Sequence, residues 1–360
     1  MLHLNNIALY QFKNYLQQNL QFRENVIGIC GNNGLGKTNL LDAIYFLCFT
    51  KSYFTKTDSG SVFNGLQGMR IEGNFTRNGE SEKIVCILRE NNKKEIQRNG
   101  TDYKRFSAHI GHFPAVMIAP DDVELITGTS EMRRKYIDTL LSQLDSQYLQ
   151  NLIDYNKVLQ QRNSLLKSAG ERGYLDEALL EILTSQLVKP GNFIYKYRKQ
   201  FLSTYLPSVV ESYHKIAAAN EAVSLAYESQ LFEDDFEKLL GTFRQKDLLL
   251  QRTAIGIHKD DIDLKLNNEN FKNIASQGQR KSLLFALKLS EFNELKSAKG
   301  FAPILLLDDV FEKLDAGRMQ NLLFHVCIEN QSQVFITDTH KERLQQALEK
   351  LEVPFQLVEL

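Results

Sequence analysis

The run Gly31-Asn32-Asn33-Gly34-Leu35-Gly36-Lys37-Thr38 constrains this chain more than any other feature. It follows a short apolar strand pattern (Val26, Ile27, Ile29, Cys30) and precedes apolar residues at helical spacing (Leu40, Leu41, Ile44, Leu47). The spacing is that of a phosphate-binding loop, G-x-x-x-x-G-K-[ST], in its required strand–turn–helix context. Its glycines let successive backbone N–H groups point inward at a β-phosphate, and the helix N-terminus adds partial positive charge. Lys37 is placed to neutralise the β and γ oxygens, and the Thr38 hydroxyl to reach Mg²⁺.

A magnesium site of this kind needs carboxylates at the end of a second buried strand beside the loop. Ile304-Leu305-Leu306-Leu307-Asp308-Asp309 has that form, with Asp308 as the expected Mg²⁺ ligand and Asp309 placed to orient or deprotonate an attacking water. Asp308 follows Thr38 by 270 positions, whereas most phosphate-loop enzymes hold both motifs in one compact unit. The spacing therefore predicts a nucleotide fold split by an insert. Upstream of the acidic pair, Ser276-Gln277-Gly278-Gln279-Arg280 opens an amphipathic helix, with Ser276 as its N-cap and Gly278 allowing close backbone approach.

The rest of the chain fills in around these motifs. Residues 70–105 alternate in short runs separated by Asn78-Gly79 and Asn99-Gly100, which predicts an antiparallel meander. From about Asp121 to Leu250 the pattern turns helical (Ile137, Leu140, Leu141, Leu144, Tyr148, Leu152, Leu159), punctuated later by Pro190 and Pro207. Ile255–Leu266 reads as strand, 277–296 as helix, and 304–307 and 334–337 as strands. The expected division is a split head, 1–120 and 251–360, around a helical insert, 121–250.

Composition excludes several alternatives. No apolar stretch approaches the roughly 20 residues that span a bilayer, and the N-terminus reads as strand rather than as a secretory signal, so an intracellular soluble protein is expected. Four separated cysteines (Cys30, Cys48, Cys86, Cys327) among apolar neighbours suit buried reduced thiols. A formal charge of −1 gives the whole molecule no pull on polyanions, so nucleic-acid binding would need a local basic surface.

The motifs also carry a family resemblance. GNNGLGKTNLLDAI (31–44) resembles the first nucleotide motif of the SMC and RecF proteins, and SQGQRKS (276–282) their form of the ABC signature. Several stretches are similar to the RecF family in particular. They are Phe12-Lys13-Asn14-Tyr15, Pro120-Asp121-Asp122 through Gly128, Arg133, Arg134 and Asp138, Gln161-Arg162-Asn163 with Leu165-Leu166-Lys167, Gly256 to Asp261, and Leu307 to Asp315. Ser130, Ile257, Lys13 and Lys259 depart from the family's usual residues, and the switch position after the last buried strand is open among Thr337, Asp338 and His340.

The resemblance implies an α/β fold: an ABC-type ATPase head, with a phosphate loop and a mixed sheet plus antiparallel β meander, carrying an inserted helical arm. It implies ATP and Mg²⁺ as cofactors, held by Gly31, Asn32, Asn33, Gly34, Leu35, Gly36, Lys37 and Thr38 of one copy. Ser276, Gly278 and Gln279 of another copy would close the site in an ATP-dependent homodimer. It further implies slow hydrolysis with Asp309 as the catalytic group, Asp315 near the opposite site, and DNA repair at gaps or junctions of double- and single-stranded DNA with RecR and RecO-type mediators. A non-hydrolysing scaffold locked by ATP, or another SMC-like ATPase, is the alternative.

Two basic clusters are candidates for DNA contact. One is Arg133, Arg134 and Lys135; the other is Lys196, Arg198 and Lys199 interleaved with Tyr195 and Tyr197. His258 with Asp260 and Asp261 could form a nuclease metal site, but a hydrogen-bonded histidine in a structural turn is the simpler expectation.

Overall fold

A computed structural model describes residues 1–217, 221–310, 323–329 and 332–360, the side chain of His325 excepted. Chain contacts divide it into two units, Met1–Asp122 with Leu287–Leu360, and Val123–Ala286.

The first unit is built on two sheets. A six-stranded antiparallel sheet runs in the order Tyr15–Gln21, Leu2–Phe12, Met69–Arg77, Glu80–Leu88, Lys94–Arg98, Thr101–Asp102. Its two Asn-Gly turns have positive φ at both positions (Asn78 52°, Gly79 88°; Asn99 51°, Gly100 79°), the backbone that matches strand twist in a two-residue hairpin. A five-stranded sheet has the order Phe355–Glu359, Val26–Cys30, Val334–Asp338, Ile304–Leu307, Ala115–Ile118, and every pairing in it is parallel. Its central strands are buried along their full length, as parallel strands covered on both faces must be.

The helix Lys37–Phe49 explains why both sheets sit in one unit. Only Thr38 and Asn39 of its residues escape burial, and its apolar side chains join those of both sheets in one core. A helix apolar all round must be enclosed rather than laid on a surface.

The second unit contains the helices Ser130–Leu144, Ser146–Arg172 and Glu177–Ala217, and also a three-stranded antiparallel sheet (Val223–Glu228, Asp261–Leu266, Glu269–Asn270). This moves the second boundary from the expected 250 to 286, because Asp261–Leu266 pairs with Val223–Glu228 and keeps 251–286 with the insert. Within the expected strand 255–266 only 261–266 is extended, Ile257–Lys259 forming a 3₁₀ turn after Gly256 at φ 129°.

Pro190 and Pro207 do not end helices either, since both lie inside Glu177–Ala217. Proline costs a helix one hydrogen bond, and at Pro190 burial offsets it: Pro190, Gly191 and Ile194 are buried, and a Cβ on Gly191 would lie 2.4 Å from the Phe236 ring. The four cysteines are buried and free, and burial raises the pKa of each thiol. Among the described residues no helix is long and apolar enough to cross a membrane.

Candidate functional site

Three parallel strands end side by side at the site. The strand Val26–Cys30 delivers the glycine loop, Val334–Asp338 lies next to it, and Ile304–Leu307 follows on the far side of that strand. The phosphate loop and the acidic pair are thus separated by one strand, whose last residues fall between them.

In the loop, Gly34 and Gly36 take φ of 85° and 108°, a region that L side chains avoid. Nothing lies within 4 Å of a Cβ built on Gly34, so the loop is open there. At Gly36 a Cβ would meet the Asn14 amide at 2.5 Å and the Tyr15 hydroxyl at 2.9 Å. The turn between the first two strands presses on the loop at that point: the Asn14 amide donates to the Leu35 carbonyl (3.0 Å), the Tyr15 hydroxyl to the Gly36 carbonyl (2.9 Å), and the Asn39 amide to Asn14 Oδ1 (2.7 Å). Lys13 of the same turn pairs with buried Asp42 of the loop helix at 2.6 Å. Asn14, Tyr15 and Asn39 are not among the residues expected at the site; Asn14 and Tyr15 lie in Phe12–Tyr15 and Asn39 in the run 31–44, stretches that resemble the family without giving these positions a role.

Lys37 folds back, its Nζ donating to the carbonyls of Gly31 (2.6 Å) and Asn32 (3.0 Å). The Thr38 hydroxyl lies 3.0 Å from both carboxylate oxygens of Asp308. The 270-residue gap in sequence therefore closes to a hydrogen bond. Burial raises the Asp308 carboxyl above its usual range, the hydroxyls of Thr337 and Thr38 oppose that, and Asp309 adds to it. Of the three candidates for the switch position, Thr337 reaches the acidic pair: its hydroxyl donates to Asp308 Oδ1 (2.9 Å) and accepts from the Asp309 N–H (2.8 Å). Asp338 is instead held by Arg343 at 2.6 and 2.8 Å, and the His340 ring meets Thr339 Oγ1 at 2.8 Å. Asp315 lies outside the described residues.

In the second unit, Ser276 caps the helix Gln277–Lys299 as expected. The Gln279 N–H donates to Ser276 Oγ (3.2 Å) and the Ser276 N–H to Gln279 Oε1 (2.7 Å), a reciprocal capping box. Ser276 and Gln277 are exposed, and Gly278 is half-buried beside them.

The basic clusters fare differently. Arg198 is 2% exposed and is bound to Asp138 and Asp260, each at 2.7 Å, so it cannot neutralise a phosphate. Arg133 grips Asp261 through both Nε and Nη2, and Arg134 donates to the Asp260 carbonyl. Of the six basic residues only Lys135, Lys196 and Lys199 are exposed. His258 has both ring nitrogens engaged, with the Tyr155 hydroxyl (2.8 Å) and the Thr253 carbonyl (3.0 Å), and burial lowers its pKa to about 4. No group of three His, Cys, Asp or Glu suited to a metal exists among the described residues. His258 is thus hydrogen-bonded at both ring nitrogens within the second unit.

A parallel sheet with a glycine loop at one strand end, paired aspartates at another, and a long insert between them defines a phosphate-loop nucleotide fold split by an insert. Residues 3–357 match the family described as RecF/RecN/SMC N terminal domain. The DNA replication and repair protein RecF of Flavobacterium johnsoniae is 43% identical over 342 residues, covering 95% of each chain, and that of Parabacteroides distasonis is 39% identical, covering 96% of this chain and 93% of that one. This chain belongs to the RecF family of DNA replication and repair proteins.

Among solved structures, the recombination mediator protein RecF of the RecFOR pathway, determined with ATP, superposes with a TM-score of 0.86 at 32% identity, over 94% of this chain and 92% of that one. The Smc head domain of Pyrococcus furiosus, solved with an extended coiled coil, shares the fold at a TM-score of 0.54 and 18% identity, over 96% of this chain and 92% of that one.

Proposed function

We propose that this chain is an ATP-dependent DNA-binding protein of recombinational repair, in which two copies close over two ATP molecules and the closed pair holds DNA at gaps or junctions. The observation that carries the reading is the Thr38–Asp308 contact, which joins the end of the glycine loop to the acidic strand. Relatives 39–43% identical along nearly the whole chain are named for DNA replication and repair, and the RecF structure with ATP is 32% identical.

The residues fit ATP with Mg²⁺. A magnesium ion at a triphosphate keeps several waters and takes only one or two protein oxygens; Thr38 and Asp308 supply a hydroxyl and a carboxylate within 3.0 Å of one another. When bound, the ion neutralises charge on the β and γ oxygens. Lys37 would exchange the Gly31 and Asn32 carbonyls for phosphate oxygens, a replacement of neutral acceptors by charged ones that strengthens each bond. The backbone N–H groups of 31–38 and the N-terminus of the helix Lys37–Phe49 would hold the phosphates. Asp309 would orient the attacking water or take its proton, and the short aspartate side chain suits slow turnover.

The exposed, capped N-terminus at Ser276 is the surface offered to the γ-phosphate of a second copy, so ATP would stabilise the dimer and ADP would not. DNA would be met through exposed lysines, Lys135, Lys196 and Lys199, rather than through the arginines between them. RecR and RecO-type mediators are the expected protein partners at the nucleoid.

Sedimentation of the full chain with ATP, with ADP and without nucleotide, alongside gapped-duplex binding, tests the proposal. ATP alone should drive dimerisation and DNA binding; Ser276→Arg should keep wild-type ATP affinity yet stay monomeric. Equal monomer fractions in all three conditions would overturn it.

A further inference from the structure

Thr337 stands on the strand between the loop and the acidic pair, and it is fully buried. Its single hydroxyl hydrogen goes to Asp308 Oδ1 at 2.9 Å, and the same oxygen accepts the Asp309 N–H at 2.8 Å. Asp308 Oδ1 also receives the Thr38 hydroxyl at 3.0 Å. The directions are therefore fixed: the carboxylate accepts, the backbone N–H donates, and the threonine hydroxyl does both.

Asp309 sits at φ 48°, in the left-handed region, which costs a non-glycine residue free energy and persists only where the surroundings impose it. The N–H bond to Thr337 is one such restraint, and it acts on the residue expected to position the attacking water. The Val334–Asp338 strand is held in turn by parallel pairing to Val26–Cys30, the strand that feeds the phosphate loop, with Thr337 opposite Ile29. One hydroxyl thus fixes Asp308 and Asp309 relative to each other on a strand tied to the loop.

We infer that Thr337 is a positioning residue, whose hydroxyl holds the Asp309 backbone in its left-handed conformation beside Asp308 and so sets hydrolysis without contributing to ATP affinity. The inference rests on the ATP-hydrolysing reading of the site. It separates two functions that share the acidic pair: Asp308 with Thr38 serves binding, and Asp309 through Thr337 serves turnover. Removing the hydroxyl leaves Thr38 as a donor to Asp308 but takes away one restraint on the left-handed Asp309 backbone. A displacement of about 1 Å in a group that aligns reactants lowers a rate by about a hundredfold.

Thr337→Val is nearly isosteric and suits a buried strand, while Thr337→Ser keeps the hydroxyl; Thr337→Ala, which leaves room for a water, is the companion variant should valine not fold. Each is compared with wild type for ATP affinity by fluorescence titration, for single-turnover hydrolysis, for the lifetime of the ATP-bound dimer, and for hydrogen exchange of the Asp309 amide in nucleotide-free protein.

The expected result for Thr337→Val is unchanged ATP affinity, hydrolysis slowed about a hundredfold, a correspondingly longer-lived dimer and faster exchange of the Asp309 amide, with Thr337→Ser restoring all four. Wild-type hydrolysis and amide protection in the valine or alanine variant would overturn the inference while leaving the ATP reading intact. A parallel loss of ATP affinity and turnover would also overturn it, as a merely structural role would. Wild-type protein that binds ATP without ever hydrolysing it would remove the reading underneath, and the inference with it.

Discussion

In the phosphate loop, Lys37 rests on carbonyls that a ligand can replace; in the second unit, Arg133, Arg162 and Arg198 are locked onto aspartates. Lys37 Nζ binds two backbone carbonyls of its own loop, whereas Arg198 is enclosed by Asp138, Asp260, the Tyr148 hydroxyl and the Ile257 carbonyl. A cation resting on neutral acceptors can trade them for phosphate at a gain. A cation buried with carboxylates cannot leave without stranding their charge. The same residue classes thus rest on neutral carbonyls in one region and are fixed by carboxylates in the other.

The sharpest way to break this comparison is Arg198→Ala. It should destabilise the fold by about 3–5 kcal/mol, because Asp260 is left buried and uncompensated; denaturant melts measure it, and a loss confined to DNA affinity would refute the framework role. Lys37→Met should do the reverse. Stability should fall by only about 1 kcal/mol, for the hydrogen bonds lost to the two carbonyls, while ATP-dependent dimerisation disappears, as read by melting and sedimentation on one preparation. The smallest effect belongs to Lys196→Glu with Lys199→Glu, both exposed side chains. Folding should be unaltered, and the dependence of log DNA affinity on log salt should flatten by about two contacts; an unchanged slope would remove this face from DNA contact.

How much of this was legible in sequence depends on the range over which each interaction acts. The strand, turn and helix at 26–49, the two Asn-Gly hairpins, the capped helix at Ser276 and the buried strand 304–307 are local: propensity, glycine backbone freedom and capping set them within a few residues. The insert was legible as a change of period at about 121, but its far boundary was not, since Asp261–Leu266 belongs to it through pairing with Val223–Glu228. Pro190 reads as a break because the packing that carries the helix through it lies elsewhere in the chain, at Phe236 beside Gly191.

The candidate site divides in the same way. The glycine loop and the acidic pair announce themselves, because the spacing needed to surround a phosphate and the apolar strand before a carboxylate are both written in consecutive residues. The clamp on the loop by Asn14 and Tyr15 and the contact of Thr337, rather than Asp338 or His340, with the acidic pair depend on which strand ends lie side by side.

The sequence by itself determined the chemistry available: a loop able to hold a triphosphate, a paired carboxylate, a helix capped by serine, and membership of a family by motifs in order. Only the tertiary structure decided which polar residues remain for ligands and which are spent on the fold. A polar group is committed by the partners within hydrogen-bond or ion-pair reach of it, and those partners, Asp308 for the Thr38 hydroxyl and Asp260 for the Arg198 guanidinium, lie far along the chain.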